Sequence, residues 1–221
     1  MAVEHEARLE RIVEHGLDTR SLFLRLPVPL RFLPGQFISC RLPVGDTVLT
    51  RPYSIASDPE SPELLELLLD LVPGGAGSQQ LFALRIGSPV RYTGPWGTFV
   101  VEEAPAAETV FIADGTGIAP IRPMLRRATA TAVRPITLVY AATRPERRIY
   151  EAELRALRPS PSVVAVPSGH LVAEVERRFV TGDADRTRHF FVCGVGELVH
   201  TLRDHLRAAG YQRRAVRYER W

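Results

Sequence analysis

The chain has only two cysteines among 221 residues, Cys40 and Cys193, and they lie far apart. An iron–sulfur centre needs a cluster of thiolates, so none is expected within this chain. A disulfide is not expected in a reducing cytosol either. Six histidines occur, and the closest-spaced pair, His200 and His205, stand five apart, which puts them on different faces of a helix. No metal set emerges. Long apolar runs are also missing: none reaches the roughly 18 residues of a membrane span. The most apolar stretch, Leu64 to Val72, is interrupted by Glu66 and Asp70. Met1 to Arg11 lacks the apolar centre of a secretory signal, so a cytoplasmic protein is expected. Neither charge dominates, with 28 basic against 25 acidic residues and a net charge of +3. No basic run is interleaved with aromatics, so nucleic acid is not an expected partner. A mildly basic surface suits an acidic protein partner by electrostatic steering.

What is present is an ordinary globular composition, 45% hydrophobic and 24% charged. The length suits two domains of about 100 residues each. Up to about Val101 the pattern is short apolar runs punctuated by Pro and Gly. Ser21 to Leu26, Phe37 to Leu42, Arg51 to Ile55, Leu64 to Val72 and Pro89 to Tyr92 read as strands, which predicts a small antiparallel barrel over 1–101. Glu102 to Ala107 reads as a linker. Over 108–221 strands alternate with helices, beginning with strand Thr109 to Ala113, helix Ile118 to Thr129 and strand Ile136 to Tyr140. Helices are also expected at Arg148 to Leu157, Leu171 to Phe179 and Glu197 to Ala209. The remaining strands are Val163 to Val166, His189 to Cys193 and Ala215 to Tyr218. Such alternation implies a Rossmann-like parallel sheet whose ligands bind beyond the carboxyl ends of the strands. Gly115-Thr116-Gly117 and Cys193-Gly194 both fall at such ends.

Three motifs in the first half stand out. Arg51-Pro52-Tyr53-Ser54 places Arg51 and Tyr53 on one strand face, offering a cation and a flat ring, although an ordinary barrel strand has the same form. Gly74-Gly75-Ala76-Gly77-Ser78 precedes a predicted short helix, Gln79 to Leu84. Ser78 is a candidate N-cap, and the glycines leave N–H groups open to a pyrophosphate; a flexible turn is the alternative. Gly94-Pro95-Trp96-Gly97-Thr98-Phe99 follows. In the second half, Gly115-Thr116-Gly117-Ile118-Ala119-Pro120 joins an apolar strand to a helix whose N-terminus favours phosphate.

In this order the motifs resemble those of the ferredoxin–NADP reductase family: R-x-Y-S/T, G-G-x-x-S, G-P-x-G-x-F, then G-T-G-I-A-P. The resemblance implies a Greek-key FAD-binding barrel followed by an NAD(P)-binding domain. FAD rather than FMN is implied by the pyrophosphate loop. Arg51, Pro52, Tyr53, Ser54, Gly74, Gly75, Gly77 and Ser78 would hold it, with the Ser54 hydroxyl near flavin N5. Gly115, Thr116, Gly117 and Ile118 would hold NADPH or NADH. Cys193 and Gly194 would shape the nicotinamide pocket. Glu219 would lie near Ser54 and Cys193, and Trp221 would cover the flavin and yield to nicotinamide. The family position before Gly115 is usually glycine, whereas here it is Asp114, expected to point away or be solvated. After Cys193-Gly194 the usual proline is replaced by Val195. Thr143, Arg144 and Arg148 follow the second parallel strand, where the adenosine ribose should lie, and guanidinium groups suit a 2′-phosphate. A solvated helix start would look alike.

The implied reaction is hydride transfer from NAD(P)H to flavin, then single electrons to a separate carrier: a ferredoxin, a flavodoxin or an oxygenase component. A second enzymatic reading is a reductase of free flavin, ferric chelate or quinone, and a third, not an independent enzyme, is an electron-transfer subunit that works only within a larger complex. A nucleotide-binding module without redox activity is the non-enzymatic reading. A monomer or a member of a multicomponent system is expected.

Overall fold

The computed structural model describes residues 3–101 and 107–220, and the chain divides into two units, Met1–Val100 and Val101–Trp221. Most of the expected linker, residues 102–106, lies outside the described residues.

The first unit is one antiparallel sheet. Its strands are β1 (His5–Glu14), β2 (Thr19–Arg25), β3 (Phe37–Val44), β4 (Thr47–Ser54), β5 (Leu64–Asp70) and β6 (Pro89–Trp96), in the order β4-β3-β6-β1-β2-β5. Insertion of the last strand between β3 and β1 is a Greek-key connection. The outer strands meet through the Ile55–Leu67 bridge and the Ala56 N–H bonded to the Glu66 carbonyl at 2.8 Å, so the sheet closes into a barrel. Alternate residues point inward. Leu22 and Leu24 of β2, Ile38 and Cys40 of β3 and Leu65 and Leu67 of β5 are fully buried in its core. Each such leucine contributes about 1.5–3 kcal/mol.

Two boundaries differ from the sequence reading. Strand β1 was not expected, because a bulge between Leu9 and Arg11 breaks its alternation and only Ala7 and Leu9 are fully buried. The short helix α1 spans Ala76–Phe82, not 79–84, and its cap residue is Gly75. Ser78 is therefore not the N-cap.

The second unit is a five-stranded parallel sheet with helices between strands. In chain order it runs β7 (Thr109–Asp114), α2 (Ile118–Thr131), β8 (Ile136–Ala142), α3 (Glu151–Arg155), β9 (Ser162–Pro167), α4 (Leu171–Phe179), β10 (His189–Gly194), α5 (Gly196–Ala208) and β11 (Val216–Arg220). Helix α3 is shorter than the expected 148–157. The sheet order is β11-β10-β7-β8-β9. Every residue of β7 and β8 is buried, as continuous apolar runs in a parallel sheet require. The chain winds outward from β7 to β9, then returns to β10 on the other side of β7. The strand order thus reverses between β7 and β10, and the ligand crevice of such a sheet opens at their carboxyl ends.

Candidate functional site

In the barrel, Arg51 and Tyr53 lie on β4 and share a face. Arg51 is exposed, while Tyr53 leans on the core. Burial raises the Tyr53 phenol to about 12 against a small lowering by the nearby Arg51 charge, so it is a neutral ring at any physiological pH. Helix α1 is seated directly on Arg51. A Cβ at Gly77 would stand 2.9 Å from Arg51 Cγ, so only glycine lets the helix approach the stem of this arginine. Gly75 is similarly close to Val72, 2.9 Å from its Cβ. The buried Ser78 hydroxyl accepts from the Val72 N–H and donates to the Gly75 carbonyl, both at 3.0 Å, stapling the glycine loop onto the helix. An exposed guanidinium thus stands beside a glycine loop and a helix start, a donor set suited to a pyrophosphate. Pro52 is exposed, Ser54 partly buried, and Gly74 an exposed turn residue of the same loop.

In the second unit, Gly115–Gly117 form a 3₁₀ turn from β7 into α2, and Ile118 opens that helix. A Cβ at Gly117 would lie 2.6 Å from the Cys193 carbonyl carbon and 2.9 Å from the Gly194 nitrogen, nearer still to the Cys193 carbonyl oxygen. A Cβ at Gly194 would lie 2.9 Å from Asp114 Cβ. The turn after β7 and the end of β10 are therefore in backbone contact, which joins Gly115, Thr116 and Gly117 with Cys193 and Gly194 in one crevice floor. Cys193 pairs in register with Glu219 on β11. Burial pushes the Cys193 thiol well up, and the Glu219 charge pushes it further, so it is a neutral wall and not a nucleophile. Trp221 lies outside the described residues.

Of the two alternatives for Asp114, solvation does not hold: it is buried and accepts a 2.5 Å hydrogen bond from the Ser168 hydroxyl, in the turn after β9. Tyr140 on β8 donates to the Gly115 carbonyl at 3.4 Å. Ser168 and Tyr140 were not singled out in the sequence, although Tyr140 lies near the carboxyl end of β8, beside β7, and Ser168 just past the end of β9, the next strand out.

The arginines after β8 have different occupations. Arg148 is held by Glu151 at 2.6 Å with both side chains mostly covered, and Arg155 holds the same carboxylate at 2.6 Å. Arg144 is 64% exposed and meets an exposed Glu146 at 3.5 Å, and Thr143 beside it is exposed too. All 28 basic residues of the chain are arginine. Among the described residues no group of three or more His, Cys, Asp or Glu could hold a metal ion, and no helix is long and apolar enough to cross a membrane.

Residues 6–101 match the oxidoreductase FAD-binding domain family, and residues 111–204 match the oxidoreductase NAD-binding domain family. The chain is 32% identical over 208 residues to ferredoxin–NADP reductase B of Sorangium cellulosum, covering 86% of this chain and 85% of that protein. It is 34% identical to methane monooxygenase component C of Methylosinus trichosporium over 149 residues, but spans only 43% of that protein's length. A solved ferredoxin NADP+ reductase from Neisseria gonorrhoeae with bound FAD and NADP superposes with a TM-score of 0.81 at 21% identity, covering 100% of this chain and 99% of the other. The ferredoxin reductase in carbazole 1,9a-dioxygenase gives 0.86 at 21% identity, over 99% of this chain and 69% of that one. At these identities the two structures establish the fold, an antiparallel barrel followed by a parallel sheet with helices.

Proposed function

The chain belongs to the ferredoxin–NADP reductase family, and on that premise we propose that it passes electrons from NADPH through FAD to a separate one-electron carrier protein. The observation that carries the reading is the pair of glycine-floored cradles, one in each unit. At Gly77 a side chain would strike the stem of Arg51, and at Gly117 the backbone of Cys193 and Gly194, so in each unit a glycine closes the packing beneath the turn. Residues 1–101 serve as the FAD-binding domain and 108–221 as the NAD(P)-binding domain in this reading. When bound, FAD supplies the conversion of a two-electron hydride into single electrons.

The chain's own residues bind and orient. Arg51 offsets pyrophosphate charge beside the Gly74–Ser78 loop. Tyr53 and Ser54 line the flavin with a neutral ring and a hydroxyl. Thr116 and the turn around it receive the nucleotide pyrophosphate, and neutral Cys193 with Gly194 leaves room for nicotinamide. Arg144 faces the 2′-phosphate, which favours NADPH over NADH. Arg148 is drawn away by Glu151. The carrier is a ferredoxin, a flavodoxin or an oxygenase component, in keeping with relatives named as a ferredoxin–NADP reductase and as a methane monooxygenase component. A cytoplasmic location accompanies this reading, since reduced nicotinamide nucleotides are supplied there.

The test is the visible spectrum of the purified protein, recorded anaerobically before and after NADPH or NADH. A yellow protein bleached near 450 nm, roughly the flavin band, and faster by NADPH is expected. The Arg144→Glu variant should lose at least tenfold in kcat/KM for NADPH while NADH is little changed, about 1.4 kcal/mol of discrimination. A colourless protein that FAD cannot reconstitute would overturn the reading. An unchanged nucleotide preference in Arg144→Glu would remove Arg144 from it.

A further inference from the structure

Asp114 is an anomaly at a phosphate site. It ends β7 and directly precedes the Gly115–Gly117 turn, which in the reading above receives the pyrophosphate of the nucleotide. A carboxylate there opposes an anionic ligand, yet only 9% of Asp114 is exposed, so water does little to screen it. Among the described residues, its neighbours offer no compensating charge. From β9's side comes the neutral Ser168 hydroxyl, with His170 closing the same turn. From β10 come the neutral Cys193 and Gly194, the latter packed on the Asp114 Cβ. The phenol of Tyr140 on β8 is directed to the Gly115 carbonyl. Helix α2 places no acid in its first turn, and its Arg122 is engaged by Glu153 at 2.8 Å.

We propose that Asp114 takes up a proton from solvent when the nucleotide binds, so that this residue couples nucleotide affinity to pH. Both forms of the carboxyl group fit the pocket. Ionised, it accepts the hydrogen bond from Ser168; protonated, it donates through its own O–H while the serine hydroxyl rotates. Burial already raises its affinity for a proton in the free protein, against a smaller lowering by Ser168. A pyrophosphate beside it acts in the same direction, because a like charge disfavours the ionised form. By linkage, whatever promotes protonation on binding makes binding weaker as pH rises. Asp114 is in this sense a positioning residue. It keeps the β9 turn tied across the crevice edge while shedding its charge when the ligand requires it.

The inference rests on the nucleotide reading of the crevice, and calorimetry separates the two. Binding of oxidised NADP and of oxidised NAD to the FAD-loaded protein is measured from pH 5 to 9 in buffers of different ionisation enthalpy, which counts protons taken up. Asp114→Asn keeps a partner for Ser168 and removes the ionisation, and it serves as the reference for protons that belong to a 2′-phosphate. Wild type should take up more protons than Asp114→Asn, approaching one extra proton at the pH of greatest difference. Asp114→Asn should also bind more tightly at high pH, with a flatter pH profile. Ser168→Ala, by removing the bond that favours the ionised form, should move the uptake to higher pH. Equal uptake by wild type and Asp114→Asn at every pH would overturn the inference and leave the nucleotide site standing. Failure of both nucleotides to bind would overturn the inference and the nucleotide reading together.

Discussion

The Gly117→Ala substitution should be the most damaging single-methyl change in the second unit. The added Cβ would stand 2.6 Å from the carbonyl carbon of Cys193 and 2.9 Å from the nitrogen of Gly194, where ordinary contact begins at 3.4 Å. Both obstacles are backbone of a buried strand, paired in register on one side to β7 and on the other to β11. Neither can rotate away, so the start of α2 must move outward by nearly 1 Å. Overpacking of this kind costs about 1–3 kcal/mol. For a chain of this size that lowers the melting temperature by about 2–4 °C per kcal/mol. Nucleotide binding should suffer more than stability, since displacing a positioning element by about 1 Å can cost 100-fold. The assay is thermal unfolding beside titration with oxidised NADP, with two controls. Gly169→Ala meets nothing within 4 Å and should be near neutral. Gly115→Ala also meets nothing but has φ +55°, so it should lose about 1 kcal/mol through backbone strain alone. If Gly117→Ala matches Gly169→Ala in both stability and affinity, the close-contact account of this turn is wrong.

Three further outcomes follow from the geometry. Arg51→Gln should weaken FAD binding to the apoprotein by about tenfold or more, the worth of a charge-assisted contact to phosphate, read from flavin fluorescence; unchanged affinity would remove Arg51 from the site. For Glu153, burial pushes the carboxyl up, but the bonds and charges of Arg122 and Arg126 outweigh it and leave it below the usual 4.5. Its contribution is therefore present at neutral pH and lost as pH falls through the lowered value. Glu153→Gln should cost about 1–2 kcal/mol at pH 7 and nothing under strongly acid conditions, as urea unfolding at several pH values would show; a pH-independent difference would contradict the ion-pair account. Cys40, with burial raising its thiol to about 12, and Cys193, raised well above the usual range, should resist iodoacetamide at pH 8 until the protein unfolds. Rapid labelling of native Cys193 would refute its place as a buried neutral wall.

Legibility in the sequence followed the range of the interactions involved. Val110 to Ala113 is a continuous apolar run closed by Asp114 and Gly115, and such a run has few homes besides the centre of a parallel sheet. Alternation of such runs with amphipathic segments made the second fold readable without knowing any contact. β1 was missed because its bulge breaks the period on which strand recognition depends. Ser78 followed by a polar stretch looks like a cap, yet its hydroxyl is already committed to Val72 and Gly75, a fact decided by loop closure and not by local preference. The Asp114–Ser168 bond joins residues 54 apart and leaves no local trace. The motifs are short-range and legible in the sequence, whereas the partner of Asp114 comes from elsewhere in the fold.

The arginines illustrate the same division with a functional consequence. Three of them follow β8 within five residues, and by composition they are equivalent. Their surroundings separate them. The Arg148–Glu151 pair has side chains 15% and 22% exposed at 2.6 Å, so withdrawing Arg148 would break a largely covered ion pair and leave the carboxylate to Arg155 alone. The Arg144–Glu146 pair is 64% and 67% exposed at 3.5 Å, an arrangement worth about 0–1 kcal/mol. A phosphate with two acidic oxygens offers a guanidinium a stronger, bidentate partner than that solvated carboxylate does. Arg144 can therefore leave Glu146 for a 2′-phosphate at little cost, whereas Arg148 would give up a closer and more covered pair. On the proposed reading, nucleotide preference would depend less on how many arginines follow the strand than on which of them the fold holds most loosely.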